Sequence, residues 1–289
     1  MKKTLLPLLA MFYLSGCSYL FDENNTDLIK AVFENNITKI KEIASTTADI
    51  DDTNSYGLTA LMYASRAGDK EIVKTLLKYG ADVNMYSKGT DFFLTFITEE
   101  PITTALQEAL GKSQGSATFN QNHINTAKVL IEHNAYIDKE AIYHLGTTGD
   151  ITLLELMISK KNRAISNNAD FYSQALYGAI TYEKFNMIKY LLEHGANPNM
   201  KLEDGGSILL VSIKLKSKRK EWDNKYKIIK LLLKYGADKT FKAKYEDKNI
   251  IEMVRANAQK EGREVAEYFY TILKILTRDE ALASSRSLE

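Results

Sequence analysis

The sequence is poor in several residues that mark common classes of protein. Its one cysteine excludes an intramolecular disulfide, and its three prolines suit a chain that is mostly helical. The 38 lysines and arginines are nearly balanced by 37 aspartates and glutamates, so the net charge of +1 gives no field that favours nucleic acid. After residue 20, no apolar run is long enough to span a bilayer.

Patterns for catalysis or metal binding are also scarce. Residues 111–113 read Gly-Lys-Ser but lack the upstream glycine of a phosphate-binding loop. The aspartates at positions 49, 51 and 52 leave calcium open as an alternative to an ordinary turn. We therefore predict no catalytic residue, no metal and no cofactor; hydrolase activity that depends on His123 or His144 would overturn this prediction.

The stretch from Tyr56 to Asn84 contains two short helical patterns separated by Gly68-Asp69. The first, 59–67, carries small residues that let a neighbouring helix approach closely. The second, 70–79, carries an apolar stripe that must be buried, and Gly80 follows where a left-handed C-cap is needed. Neither helix can bury its apolar face alone, so this unit requires similar neighbours.

The stretch resembles an ankyrin repeat. Thr59-Ala60-Leu61-Met62 stands where that family has T-P-L-H, and Gly80-Ala81-Asp82-Val83-Asn84 is similar to its usual ending. Weaker copies extend the resemblance over about residues 27–276. It implies an all-α fold, an ankyrin-repeat solenoid of about six to seven helix-turn-helix repeats with loop fingers. The predicted domain is 26–276, interrupted by insertions at 85–101, 111–122 and 216–225 and followed by a flexible tail at 277–289.

The N-terminus has the pattern of a targeting sequence. A basic start and an apolar run lead to Leu14-Ser15-Gly16-Cys17, which resembles a bacterial lipobox. The resemblance implies a signal peptide at 1–16, acylation of Cys17, a tether over 17–25, and a periplasmic protein anchored in the inner leaflet of the outer membrane. The alternative is an ordinary signal peptide with an incidental cysteine.

By the family resemblance, partners are contacted at hairpin tips and along the first helix of each repeat. The predicted partner-binding residues are Tyr56, Leu58, Arg66, Tyr86, Phe92, Phe93, Lys112, Thr148, Tyr172, Tyr182 and Trp222. For each of them the alternative is ordinary solvated surface. The aromatic residues of 85–101 form either a satellite core or a docking finger. The insertion at 216–225 is rich in basic residues. It either extends a helix into solvent or faces an anionic membrane or an acidic partner.

The combination of lipobox and repeats resembles the ankyrin-type lipoprotein immunity proteins of type VI secretion, which neutralise phospholipase effectors. This resemblance implies a non-catalytic scaffold that occludes a secreted lipase-type toxin, with a lipid anchor in the membrane and no nucleic-acid partner. The alternative is a general periplasmic ankyrin scaffold that supports an envelope or oxidative-stress enzyme. The neighbouring genes would discriminate between these two functions. Genes for a lipase and a spike protein would favour the immunity protein, whereas a catalase gene would favour the general scaffold.

Overall fold

The computed structural model of the chain describes residues 23–87, 103–111, 120–160, 168–202, 205–214, 219–242 and 248–286. Within these ranges the structure is all-α: fourteen α-helices, one 3-10 turn and isolated β-bridges, with no strand. The chain divides into two compact units, Met1–Ile137 and Asp138–Glu289. None of the described helices is both long enough and apolar enough to cross a membrane.

Unit one contains three helix pairs, which we call repeats one to three. Its helices are α1 (Asp27–Phe33), α2 (Ile37–Thr46), α3 (Ala60–Ala67), α4 (Lys70–Lys78), α5 (Ala105–Ala109) and α6 (Gln121–Glu132). The first helices pack on one another, α1 on α3 and α3 on α5, and the second helices do the same, α2 on α4 and α4 on α6. Stacking therefore buries the faces that a single pair leaves exposed.

Unit two contains four helix pairs, repeats four to seven. Its helices are α7 (Lys139–Thr148), α8 (Ile151–Lys160), α9 (Asn168–Thr181), α10 (Phe185–Glu193), α11 (Ile208–Lys214), α12 (Trp222–Lys234), α13 (Ile250–Lys260) and α14 (Arg263–Arg286). A 3-10 turn, Arg219–Glu221, leads into α12. The helix α9 packs on α7 and α11, and α12 packs on α10 and α14. The all-α fold of stacked helix pairs predicted from the sequence is confirmed.

Local signals define the ends of the helices in repeat two. The Thr59 hydroxyl accepts the Met62 amide at 3.3 Å and starts α3, and Asp69 accepts the Ile72 amide at 3.0 Å and starts α4. Gly80 has φ 98°, a left-handed conformation that a residue with a Cβ adopts only with strain. The two predicted helices are confirmed within a residue at each end.

Side chains in the turns join successive repeats. Asp51 accepts the Asp82 amide at 2.9 Å, Asn84 accepts the Tyr136 amide, and Asn199 accepts the Asp238 amide at 2.7 Å. Asp51 is thus a hydrogen-bond acceptor between repeats, and asparagine has the same role at the two other contacts. Among the described residues, no group of three or more acidic, histidine or cysteine side chains is placed to hold a metal ion.

Two predicted boundaries near the C-terminus differ from the structure. Part of the predicted insertion at 216–225 is the start of α12, because Lys225 is buried there. The helix α14 continues to Arg286, past the predicted start of a flexible tail at 277. Buried Ile272 and Leu276 hold its middle, and residues 277–286 contain no glycine or proline that would end it.

Candidate protein-binding surface

Helices α7 and α9 approach until their backbones touch. A Cβ at Gly178 would overlap the Tyr143 carbonyl oxygen, and a Cβ at Gly146 would overlap the Ala175 carbonyl oxygen. Neither glycine has a positive φ, so it is the neighbouring helix, rather than the backbone conformation, that leaves no room for a side chain. This contact places the side chains of two neighbouring first helices beside each other.

Three tyrosines gather over this contact, and we call them the tyrosine surface: Tyr143, Tyr177 and Tyr182. The rings of Tyr143 and Tyr177 are 5.0 Å apart between centroids and tilted by 51°. Tyr182 follows α9 directly and is 42% exposed. Each ring offers apolar area together with a hydroxyl that can bond, a combination that is favourable at protein interfaces.

Within the tyrosine surface, the pKa of the Tyr143 phenol is raised above its usual value. Burial raises the pKa of the Tyr143 phenol, and nearby Tyr177, Tyr182 and Glu140 raise it further, while a hydrogen bond with Thr181 acts in the opposite direction. The phenol therefore remains protonated at neutral pH and can donate a hydrogen bond. A partner that covers this surface would not have to desolvate a tyrosinate charge.

His144 lies at the edge of the tyrosine surface, with its ring 5.2 Å from that of Tyr143. Its Nε2 atom lies 3.4 Å from Glu140 Oε1 but makes no hydrogen bond there, because the geometry is poor. The Nε2 atom itself is buried, so in this conformation a binding partner does not reach it.

His123, the other histidine considered for catalysis, has a structural position in unit one. It is 4% exposed, its Nε2 donates to the Arg66 carbonyl at 3.0 Å, and its Nδ1 accepts the Asn120 amide at 3.4 Å. The ring also packs against Gly68, at the end of α3. His123 therefore ties the start of α6 to the end of α3, and burial lowers its pKa below the usual 6.5.

This geometry predicts that unit one loses stability in mild acid. Because the folded-state pKa of His123 is lowered, the unfolded chain binds the proton more readily, and stability falls as the pH drops below about 6.5. His123→Gln can keep the hydrogen bond to the Arg66 carbonyl through its amide nitrogen and cannot titrate. In urea titrations at about pH 8 and about pH 5, the midpoint of unit one should fall less for His123→Gln than for the native chain. Equal falls would contradict this assignment.

The predicted partner-binding residues of unit one differ in how far the structure exposes them. Leu58 is 3% exposed and belongs to the core, so its prediction as a partner contact is wrong; it is turned inward where Asn54 accepts its amide. Arg66 donates from Nε to Glu108 Oε2 at 2.7 Å and is mostly buried. Tyr56 is half-buried, whereas Tyr86 is 44% exposed beside its bridge to Thr104.

In unit two, Tyr182 alone of the predicted residues is widely exposed. Tyr172 is 9% exposed, with its ring 6.4 Å from that of Phe171, so its prediction as a partner contact is wrong. Thr148 is half-buried and uses its hydroxyl at the end of α7, donating to the Leu145 carbonyl at 2.7 Å. The ring of Trp222 packs 5.2 Å from that of Tyr268, on the inner side of α12.

Four predicted residues lie outside the described ranges: Cys17, Phe92, Phe93 and Lys112. Conversely, the structure adds Tyr143 and Tyr177, which the sequence did not single out as contacts. The sequence signal that could have indicated this close helix contact is the isolated glycine within each of α7 and α9. Glycine inside a helix is destabilising and therefore suggests a packing reason.

A family model described as ankyrin repeats (3 copies) matches residues 4–87 and 140–243. These ranges make up more than half of the chain, which therefore belongs to the ankyrin-repeat family. Ankyrin repeats bind protein partners, and this protein is accordingly a protein-binding scaffold.

Individual relatives agree with this classification. Human mitochondrial disaggregase is 26% identical over 223 residues, which cover 76% of this chain and 27% of the disaggregase. An ankyrin repeat protein of Rickettsia bellii is 36% identical over 73 residues, 25% of this chain and 40% of that protein. The matched residues thus cover less than half the length of each of these relatives.

Solved structures show the same fold. The ankyrin repeat domain of human ASB11 has a TM-score of 0.56 at 19% identity, covering 79% of this chain and 91% of that domain. The ankyrin repeat domain of Bcl-3 has a TM-score of 0.52 at 18% identity, covering 86% of this chain and 99% of that domain.

Proposed function

We propose that this protein is an immunity protein that binds a secreted phospholipase-type toxin and neutralises it by occlusion. The tyrosine surface carries the proposal, because it clusters three residues of the type that dominates binding energy on adjacent repeats. The lipobox-like sequence ending at Cys17 supports a location in the periplasm, anchored in the inner leaflet of the outer membrane.

The proposed mechanism is stoichiometric and needs no chemistry from this chain. Rings of the tyrosine surface would be covered by the toxin, and their hydroxyls would form hydrogen bonds with polar groups on it. Burial of these rings would hold the toxin with its active site or membrane-docking face blocked. The anchor would place the inhibitor where the toxin acts, which raises its effective concentration.

The immunity proposal is tested by deleting the gene and challenging the cells with sibling cells that carry the toxin. We expect survival to fall sharply and to be restored by the native gene. Restoration should weaken with Cys17→Ser, which removes the proposed site of acylation. Unchanged survival of the deletion strain would overturn the immunity proposal and favour a general periplasmic scaffold.

The binding surface is tested by Tyr182→Ala with Tyr270→Ala as the matched control. Both tyrosines belong to unit two and are well exposed, at 42% and 49%, but Tyr270 lies on α14, outside the tyrosine surface. Tyr182→Ala should weaken binding of the partner recovered from envelope extract by about tenfold or more, because a hot-spot tyrosine contributes roughly 2 kcal/mol. Tyr270→Ala should leave it unchanged in calorimetry. Equal effects of the two variants would count against the surface.

A further inference from the structure

A groove of about 410 Å³ runs between α12 and α14 of unit two. Residues Leu233 and Ile275, which are partly exposed, contribute apolar area to it. Its four charged lining residues are all cations: Lys230 and Lys234 on α12, Lys274 and Arg278 on α14. The groove is thus a recess with an apolar part, lined by positive charges and, among the described side chains, by no carboxylate.

The arrangement of these cations is unfavourable for the free protein. On each helix the two charges lie four residues apart, where like charges repel one another across one turn. A cation at the end of α12 favours the helix dipole, which accounts for Lys234. That effect does not account for Lys274 or Arg278, because α14 continues to Arg286.

Some surface cations on the described helices have an acidic neighbour. Lys39 pairs with Glu34 at 3.1 Å, Lys74 lies 3.8 Å from Glu71, and Arg219 pairs with Glu267 at 3.0 Å. Among the described side chains, none of the four groove cations makes such an ion pair. Their positive potential is therefore concentrated in the recess, where it attracts an anionic ligand.

The shape and polarity of the groove select the kind of ligand. A flat bilayer presents its headgroups as a sheet, which does not enter a recess between two helices. A free inorganic anion would leave Leu233 and Ile275 uncovered. An amphipathic segment with carboxylates beside an apolar stripe satisfies both parts at once, as in the seating of a helix in a groove.

We propose that the groove between α12 and α14 docks an acidic amphipathic segment of a protein partner. Apolar side chains of the segment would cover Leu233 and Ile275, and its carboxylates would meet the four cations. Burial of the apolar part gives affinity, while the charges give orientation and a faster encounter. This site is separate from the tyrosine surface and does not depend on the partner being a toxin.

The test measures binding of a labelled synthetic amphipathic helix, with glutamates on one face and leucines on the other, to the purified full-length chain. We expect the charge-reversed variant Lys230→Glu/Lys274→Glu to weaken binding by about tenfold or more at low salt. The milder pair Lys230→Gln/Lys274→Gln should weaken it less. Both substituted lysines are exposed on their helices, and circular dichroism checks that the fold is kept.

The control variant Lys41→Glu/Lys227→Glu makes the same change in net charge at exposed lysines outside the groove lining. It should bind the peptide within about twofold of the native chain, since only diffuse attraction is lost. A peptide with glutamine in place of glutamate should not bind. Equal losses in the groove and control variants would overturn the proposal, as would binding of the glutamine peptide. Groove-dependent binding to phosphatidylglycerol vesicles without peptide binding would also overturn it and assign the site to a membrane.

Discussion

Gly178→Ala is expected to destabilise unit two by about 3 kcal/mol, although alanine is the better helix former. In an exposed helix the change would stabilise by about 1 kcal/mol. Here the new Cβ would overlap the Tyr143 carbonyl oxygen, and the Thr147 amide nitrogen would lie 3.2 Å away. Because these atoms belong to the backbone of α7, a side-chain rotation cannot relieve the overlap, and the two helices must separate.

The only tryptophan makes this prediction straightforward to measure. Trp222 lies on α12 in unit two, so its fluorescence during urea unfolding follows that unit. Gly262→Ala is the matched control, because Gly262 lies between α13 and α14 with no atom within 4 Å of an added Cβ. It should change stability by no more than about 0.5 kcal/mol. A Gly178→Ala protein as stable as the native chain would show that α7 and α9 are not in backbone contact.

Glu108→Ala is expected to destabilise unit one by about 3 kcal/mol. The Glu108 side chain is fully buried and Arg66 is 13% exposed, with 2.7 Å between Arg66 Nε and Glu108 Oε2. Removal of the carboxylate leaves a cation in a place that water scarcely reaches, and this desolvation accounts for most of the loss. Hydrogen exchange of the amides in α3 and α5 measures the effect, because the ion pair joins these two helices.

The double variant Arg66→Met/Glu108→Met separates the cost of an unpaired charge from the cost of lost packing. Apolar replacement of both partners of a buried pair is often neutral, so the double variant should recover much of the stability that Glu108→Ala loses. Lys39→Met/Glu34→Met is the surface control, since that pair is about half exposed and should contribute no more than about 1 kcal/mol. If the double variant is as unstable as Glu108→Ala, packing rather than charge is the cause.

Most of the fold could be predicted because its signals are local. Capping residues, glycine in the left-handed conformation and the apolar stripe of α4 each act within a few residues. They define the ends of α3 and α4 whatever surrounds them. The helix α14 continues past the predicted boundary at 277 for the complementary reason, because nothing in residues 277–286 stops a helix.

The candidate site was predicted only in part. Tyr182 was predicted as a contact and is exposed, whereas Leu58 and Tyr172 are in the core. A hydrophobic or aromatic side chain beside a turn can point toward the core or toward solvent. Its direction depends on the packing of neighbouring repeats. Asn54 decides it for Leu58 by accepting its backbone amide, a bond that sequence spacing does not reveal.

The sequence by itself determined that this chain forms stacked helix pairs of the ankyrin type, because each pair carries its own caps and buried stripe. Only the tertiary structure decided which side chains meet across repeats. It joined Arg66 to Glu108, brought Gly146 and Gly178 to the contact beneath the tyrosine surface, and turned Leu233 and Ile275 toward one groove. The physical reason is range: capping and periodicity act over a few residues, whereas charge pairing, steric exclusion and groove shape depend on helices that are distant in sequence.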